Sequence, residues 1–174
     1  QEVSQLVQLA QRHGEFLYPV STGRNWGYGS MLPPGDDMCI LDLSLMKGID
    51  AIDGAHGVIA VEPGVTQGEL FRWLRTQNLA LRFDPSGGGP NTGVVGNALE
   101  RGMGAGRLGD HFGAITALEV VLASGEVVPT GMWHVENCAF GGYHSWGVGP
   151  AVHGLFSQSN LGIVTRAVFV LEPL

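Results

Sequence analysis

Apolar positions at the start of the chain recur with helical spacing. Val3, Leu6, Val7, Leu9 and Ala10 fall on one face, which predicts a helix over residues 2–13 with Gly14 placed to end it. The pattern then shortens to strand-like runs: Phe16 to Val20 (FLYPV), Met38 to Leu43 (MCILDL) and Gly57 to Val61 (GVIAV). Glu62-Pro63-Gly64 turns the chain. Thr66 is a suitable N-cap for a helix over 67–77, with Leu70, Phe71 and Leu74 facing inward. Leu79 to Phe83 reads as extended. From 84 to 113 glycine dominates and no period holds, except for one helical turn expected around Asn97 to Arg101. Ala117 to Leu122 and Glu126 to Val128 predict a hairpin turning at Ser124-Gly125. Residues 129–150 read as loop, and Gly162 to Leu171 as a last strand. Helix–strand pairs followed by hairpins predict an α+β fold, with a mostly antiparallel sheet and flanking helices. No internal repeat or linker divides residues 1–174, which read as a single unit. The chain begins at Gln1 and stops just after a strand-like run, so it reads as a segment of a longer protein.

Composition narrows the function classes. Nine Lys+Arg against 16 Asp+Glu give a formal charge of −7, and Lys47 is the one lysine. Nucleic acid and anionic membrane surfaces attract basic patches, so neither is the expected partner. No apolar run reaches the roughly 18 residues of a membrane span. Cys39 and Cys138 form no CxxC pair and define no disulfide framework. His134, Glu136, Cys138 and His144 match no common zinc spacing, so no metal is expected. His13 and His56 read as surface residues, and no G-x-S-x-G supports a serine hydrolase. The outlier is glycine, 28 of 174 residues against about 7% in average proteins. Clustered glycine marks places where backbone comes close to something else.

Four segments carry candidate chemistry. In Tyr18-Pro-Val-Ser-Thr-Gly-Arg-Asn-Trp-Gly-Tyr-Gly-Ser30, a strand runs into a loop with three glycines. Backbone N–H groups in such a loop can form an anion nest. Ser21, Thr22, Asn25 and Ser30 add polar groups and Arg24 adds charge, so a diphosphate is the natural guest; a plain glycine turn between strands is the simpler reading. Gly96 to His111 (GNALERGMGAGRLGDH) offers small residues against which a large ring system can lie, with Asp110 and His111 as its polar groups or as a structural hydrogen-bonded pair. Within it, Gly104 to Gly109 matches G-x-G-x-x-G. A dinucleotide-binding turn needs a strand before that pattern and a helix after it, and the helix is missing here. Gly154 to Thr165 (GLFSQSNLGIVT) puts Ser157, Gln158, Ser159 and Asn160 just before a strand, either to bond a ligand ring or to cap the strand.

Taken together, PVSTGRNWGYG (19–29), VEPGVTQGEL (61–70), GNALERG…GDH (96–111), LEVVLASGEVVPTG (118–131) and GLFSQSNLGIVT (154–165) resemble the flavoprotein oxidoreductases of the vanillyl-alcohol oxidase / p-cresol methylhydroxylase type. The resemblance covers nearly the whole chain. It implies the larger lobe of a PCMH-type FAD-binding domain, holding extended FAD. Position by position, it implies that Ser21, Thr22, Gly23, Arg24, Asn25, Trp26, Gly27, Tyr28, Gly29 and Ser30 cradle the pyrophosphate. Glu62, Pro63, Gly64 and Val65 would lie close to the cofactor, and Gly96 and Asn97 along its middle. Asp110 and His111 would sit near the isoalloxazine or ribityl part as flavin-tuning groups, and Gly162, Ile163 and Val164 at the adenine side. Catalytic residues are not assigned. The implied activity is hydride transfer from an alcohol-like or aromatic substrate to flavin N5, followed by reoxidation by oxygen or a protein acceptor. The partners implied are a small-molecule substrate, an N-terminal lobe and a substrate domain of the same protein, and a homodimer as one possible assembly.

Two departures matter. Pro85 to Gly93 carries no carboxylate after Asp84, where phenol-oxidising members have an acidic residue. The spacer Met103 to Gly109 also lacks their tyrosines. These departures weigh against para-substituted phenols as substrates. They also keep open a non-catalytic flavin- or nucleotide-binding module of the same fold.

Overall fold

The computed structural model describes residues 1–24, 31–106, 109–138 and 140–174. Its centre is a five-stranded antiparallel sheet with strand order β3-β4-β8-β6-β7, built from Ile49–Asp53 (β3), Val58–Val61 (β4), Ile115–Leu122 (β6), Val127–Pro129 (β7) and Gly162–Val170 (β8). The sheet and its helices bear out the α+β expectation. β4 runs uninterrupted as VIAV because the sheet is covered on both faces. Ile59, Val61, Leu118, Ala167 and Phe169 face one layer, where α2 (Gln67–Thr76) supplies Leu70 and Leu74 and α3 (Val94–Leu99) supplies Val94, Val95 and Ala98. Val58, Ala60, Ala117 and Val168 face the other side, where Trp133 and Tyr143 of the long loop pack on them. Tyr143 also donates its hydroxyl to Asp53, and this bond, followed by the one from His56, holds the pKa of the Asp53 carboxyl down at about 2.

The N-terminal part forms a separate layer. α1 (Glu2–His13) is followed by β1 (Phe16–Val20), which pairs in parallel with β2 (Met38–Asp42), Phe16 beside Met38 and Val20 beside Asp42. Two parallel strands cannot bury a core on their own. Val3 and Val7 of α1 and Leu43 therefore close against Val121 and Ile163 of the large sheet. Gly14 ends α1 with φ 71, a left-handed conformation that glycine takes without a Cβ clash. A short antiparallel pair, β5 (Leu81–Arg82) with β9 (Glu172–Pro173), completes the described strands.

Several expectations need correction. Only Val3, Val7 and Ala10 of α1 are buried, and Leu6 and Leu9 stand half out. Phe71 is 63% exposed, because Leu70 and Leu74 already fill the helix–sheet interface. β3 falls where the apolar pattern carries no strand signal. The single turn expected at Asn97 to Arg101 is α3, and it begins three residues earlier. Among the described residues, no helix is long and apolar enough to cross a membrane.

Candidate functional site

The two layers meet along a groove. Its wall begins where β1 ends: Tyr18, Pro19 and Val20 lead into Ser21, Thr22, Gly23 and Arg24. Opposite stand Pro63 from the turn after β4, and Gly93, Val95, Gly96, Asn97, Leu99 and Glu100 along α3. Phe156, Gln158 and Ser159 close one end, and Gly162, Ile163 and Val164 at the start of β8 form the floor. The groove encloses about 900 Å³, part of it open to solvent.

Local chemistry explains the shape. Gly23 adopts φ +64, which turns the chain out of β1, and Met31 folds over it. Gly93 and Gly96 lie three residues apart, on the α3 face turned to the loop. A Cβ at Gly93 would lie 2.8 Å from Ser21 Oγ, and one at Gly96 would lie 2.6 Å from the same atom. The loop therefore rests on bare helix backbone. α2 keeps this region in register. Its N-cap Thr66 and Glu69 form a reciprocal capping box, with the Glu69 backbone N–H donating to Thr66 Oγ1 and the Thr66 N–H to Glu69 Oε2. The Val94 N–H donates to Val65 O at 2.9 Å and ties α3 to the same turn.

Of the residues singled out from sequence, Ser21, Thr22, Gly23, Arg24, Pro63, Gly96, Asn97, Gly162, Ile163 and Val164 meet at this groove. Asn25, Trp26, Gly27, Tyr28, Gly29 and Ser30 lie outside the described residues. Several others do not line the groove. Gly64 and Val65 are packed behind Pro63, with Gly64 against the carbonyls of Ser44 and Met46 and Val65 in the core. The Glu62 carboxylate is taken by the Gly48 N–H at 2.6 Å. Asp110 accepts the Phe112 N–H at 3.1 Å and pairs with Arg101 at 2.6 Å. His111 is 2% exposed and sits behind α3, with Nδ1 2.5 Å from Asn97 Oδ1. The Asp110–His111 pair postulated from sequence is therefore two separate contacts.

The G-x-G-x-x-G pattern is also accounted for. The Gly106 N–H donates to both Asp84 oxygens, at 3.0 and 2.9 Å, and the Gly104 N–H donates to Gly109 O. After Asp110 the chain makes a short 3-10 turn (His111–Ala114) and runs directly into β6, without the α-helix of a dinucleotide-binding turn. Among the described residues, no three His, Cys, Asp or Glu side chains converge on a metal position.

Sequence reasoning missed Glu100, the one carboxylate among the described residues of the groove wall. Burial raises its carboxyl above the ordinary range, opposed by Gln158. Its place in GNALERG was the available signal.

Burial depresses the two inner histidines. His111 is pushed below the usual histidine value by desolvation, against the charges of Asp84 and Asp110. His153, stacked on Phe112 at 5.3 Å, is lowered by desolvation as well. In the unfolded chain both titrate near pH 6.5. Between the folded and unfolded values the unfolded chain binds more protons, so stability is complete above about pH 6.5 and falls as the pH drops through that window. The melting temperature should therefore be lower at pH 5.5 than at pH 7.5, and His111→Asn should reduce that difference. An unchanged difference in the variant would show that His111 carries none of it.

A family profile described as FAD binding domain matches residues 1–131. The chain is 42% identical over 172 residues to 1'-carboxy-chondrochloren decarboxylase of Chondromyces crocatus, covering 99% of the chain and 32% of that protein. It is 38% identical over 173 residues to the 4-cresol dehydrogenase [hydroxylating] flavoprotein subunit of Pseudomonas putida, covering 99% of the chain and 33% of that protein. The chain thus spans about a third of the length of these relatives. The fold superposes on p-cresol methylhydroxylase with substrate bound at a TM-score of 0.92 and 38% identity, over 98% of this chain and 33% of that one. On 4-ethylphenol oxidase from Gulosibacter chungangensis the TM-score is also 0.92, at 35% identity and the same coverage. The chain belongs to the FAD binding domain family, is homologous to the p-cresol methylhydroxylase flavoprotein, and has FAD as its cofactor.

Proposed function

We propose that this chain is the FAD-holding part of a flavin-dependent oxidoreductase, and that FAD lies in the groove between the parallel and antiparallel layers. The observation that carries this is convergence. Four segments far apart in sequence, around Ser21–Arg24, Pro63, Gly96–Asn97 and Gly162–Val164, line one continuous surface. The surface suits the cofactor. Bare backbone at Gly93 and Gly96 lets the loop seat Ser21 and Thr22 against α3, and Arg24 on the same loop provides charge for the diphosphate. The main-chain groups of Gly162, Ile163 and Val164 provide for the adenine side.

FAD held by these residues would supply the redox chemistry, the oxidation of an alcohol-like or aromatic substrate coupled to oxygen or a protein acceptor. The chain's own residues bind and orient it. Asp110 and His111 are not assigned to tuning it directly, because neither lines the groove. The remaining length of the protein provides the substrate site. A non-catalytic flavin-binding subunit is the second reading, favoured by the absence of a carboxylate between Pro85 and Gly93.

The test is the visible absorption spectrum of the full-length protein before and after acid precipitation, for wild type and Arg24→Ala. Flavin is expected in the wild type, with FAD affinity about tenfold lower in the variant, equivalent to about 1.4 kcal/mol. Equal retention removes Arg24 from the diphosphate site. Flavin that no candidate alcohol or phenol bleaches supports the non-catalytic reading.

A further inference from the structure

We propose that Glu100 is a specificity-determining residue of the groove, whose carboxylate accepts the ribose hydroxyls of the adenosine half of FAD. The inference rests on the reading of the groove as the FAD site. Direction comes from the helix. Gly93, Gly96 and Glu100 are spaced i, i+3, i+7, a single stripe along α3 and its caps. The helical turn is kept to the end, since the Glu100 N–H donates to Gly96 O at 3.1 Å. Gly93 and Gly96 carry Ser21 directly on their backbone, so the stripe faces the loop after β1. Glu100 projects from the same side, about 6 Å beyond Gly96 along the axis. It lines the groove with Ser21 and Thr22 and is half-buried there.

The same end of α3 is tied to the segment that enters β8. Ser157 Oγ donates to Leu99 O at 3.1 Å, the Gln158 N–H to that carbonyl at 3.0 Å, and Gln158 Nε2 to Glu100 O at 3.4 Å. Phe156 Cε1 lies 3.3 Å from the Cβ position of Gly162. Glu100 thus stands between the loop proposed for the diphosphate and the strand start proposed for adenine, which is where a ribose lies in an extended dinucleotide. Its charge has no other use. Among the described residues no Lys or Arg pairs with it. Arg101 has φ 58 and is turned to Asp110 at 2.6 Å. Burial raises the Glu100 pKa, and the Gln158 amide opposes that shift without cancelling it. A carboxylate accepts hydrogen bonds only, and it repels a diphosphate. The group that matches it is neutral and carries two donors side by side, as a ribose diol does, with bonds strengthened by the charge. The adenine amine, the other donor of this half, lies at the far edge of its ring.

The test compares FAD with an analogue built on 2′,3′-dideoxyadenosine. Each is titrated into the full-length apoprotein by flavin fluorescence, for wild type, Glu100→Gln and Glu100→Ala. Wild type should bind FAD about tenfold tighter than the analogue, a comparison that needs no variant. In Glu100→Ala, FAD affinity should fall about tenfold while the analogue stays within about threefold of its wild-type value, so that the discrimination is lost. Glu100→Gln keeps an acceptor without the charge and should fall between. Its apoprotein should melt no lower than the parent, because the substitution removes a half-buried charge that has no cation beside it. Equal affinity of the wild type for the two compounds overturns the proposal. So does an equal loss for both in Glu100→Ala, which would place the carboxylate against some other part of the cofactor. If Gly96→Val leaves FAD affinity unchanged, the groove reading itself has failed, which distinguishes that outcome from a failure of the Glu100 role alone.

Discussion

Gly96→Val is expected to lower FAD affinity about a hundredfold, close to 2.7 kcal/mol, while the apoprotein melts where the parent does. The reason lies in what each face of Gly96 touches. Its Cβ position is 2.6 Å from Ser21 Oγ and 3.5 Å from Ser21 Cβ, so the helix and the loop after β1 are in contact with nothing between them. A branched side chain there must displace Ser21 and, with it, the groove wall of Thr22, Gly23 and Arg24. The helix itself gains. Glycine within a helix is about 0.3–0.5 kcal/mol worse than valine, so local propensity does not add a folding defect. Gly96→Ala grades the effect: Ser21 Oγ can rotate away from one methyl, and a loss of about tenfold or less is expected. Fluorescence titration of apoprotein with FAD, paired with thermal melting, reads both quantities. Wild-type affinity in Gly96→Val would remove α3 from the cofactor surface.

How far each element was legible in the sequence depends on how local its interactions are. The α2 start was legible because Thr66 and Glu69, three residues apart, make the whole capping box. β4 and β8 were legible as apolar runs because both of their faces are covered. β3 was not: as an edge strand with the sequence IDAID it buries little, and its two aspartates resemble a loop. The parallel pairing of β1 with β2 depends on residues some twenty positions apart, about which periodicity is silent.

The site divides in the same way. Ser21–Arg24, Pro63, Gly96, Asn97 and Gly162–Val164 stood out as motifs, and they meet at the groove. Sequence adjacency carried no direction, however. Gly64 and Val65 follow Pro63 and turn inward, while His111 follows Asp110 and is buried where Asp110 is exposed. Glu100 resembles an exposed residue beside Arg101. The packing of Gln158 and Phe156 around the end of α3 makes it part of the wall, and that contact spans nearly sixty positions.

Gly64→Ala is expected to do the reverse of Gly96→Val, damaging the fold first and the cofactor only as a consequence. A methyl at position 64 would collide with Ser44 O and lie 2.6 Å from both Ser44 C and Met46 O. These are backbone atoms with no rotamer to escape into, so the segment after β2 must move as a unit. That segment is the seam between the layers. The Gly64 N–H donates to Met46 O at 2.8 Å, the Glu62 N–H to Gly48 O at 2.9 Å, and the Gly48 N–H to the Glu62 carboxylate at 2.6 Å. Overpacking against a well-ordered interior costs about 1–3 kcal/mol, and the upper end applies where main chain is the obstacle. The apoprotein should therefore melt several degrees below the parent. Because Pro63 moves with its neighbour, FAD affinity should fall too. Excess FAD should then restore part of the lost melting temperature, since a ligand that binds only the folded state stabilises it in proportion to the logarithm of its concentration. That recovery separates the two variants. Gly64→Ala responds to added FAD because its groove can still form, whereas Gly96→Val, with its groove wall displaced, does not respond at the same concentration. A Gly64→Ala protein that melts with the parent would mean that the two layers are not held together through this turn.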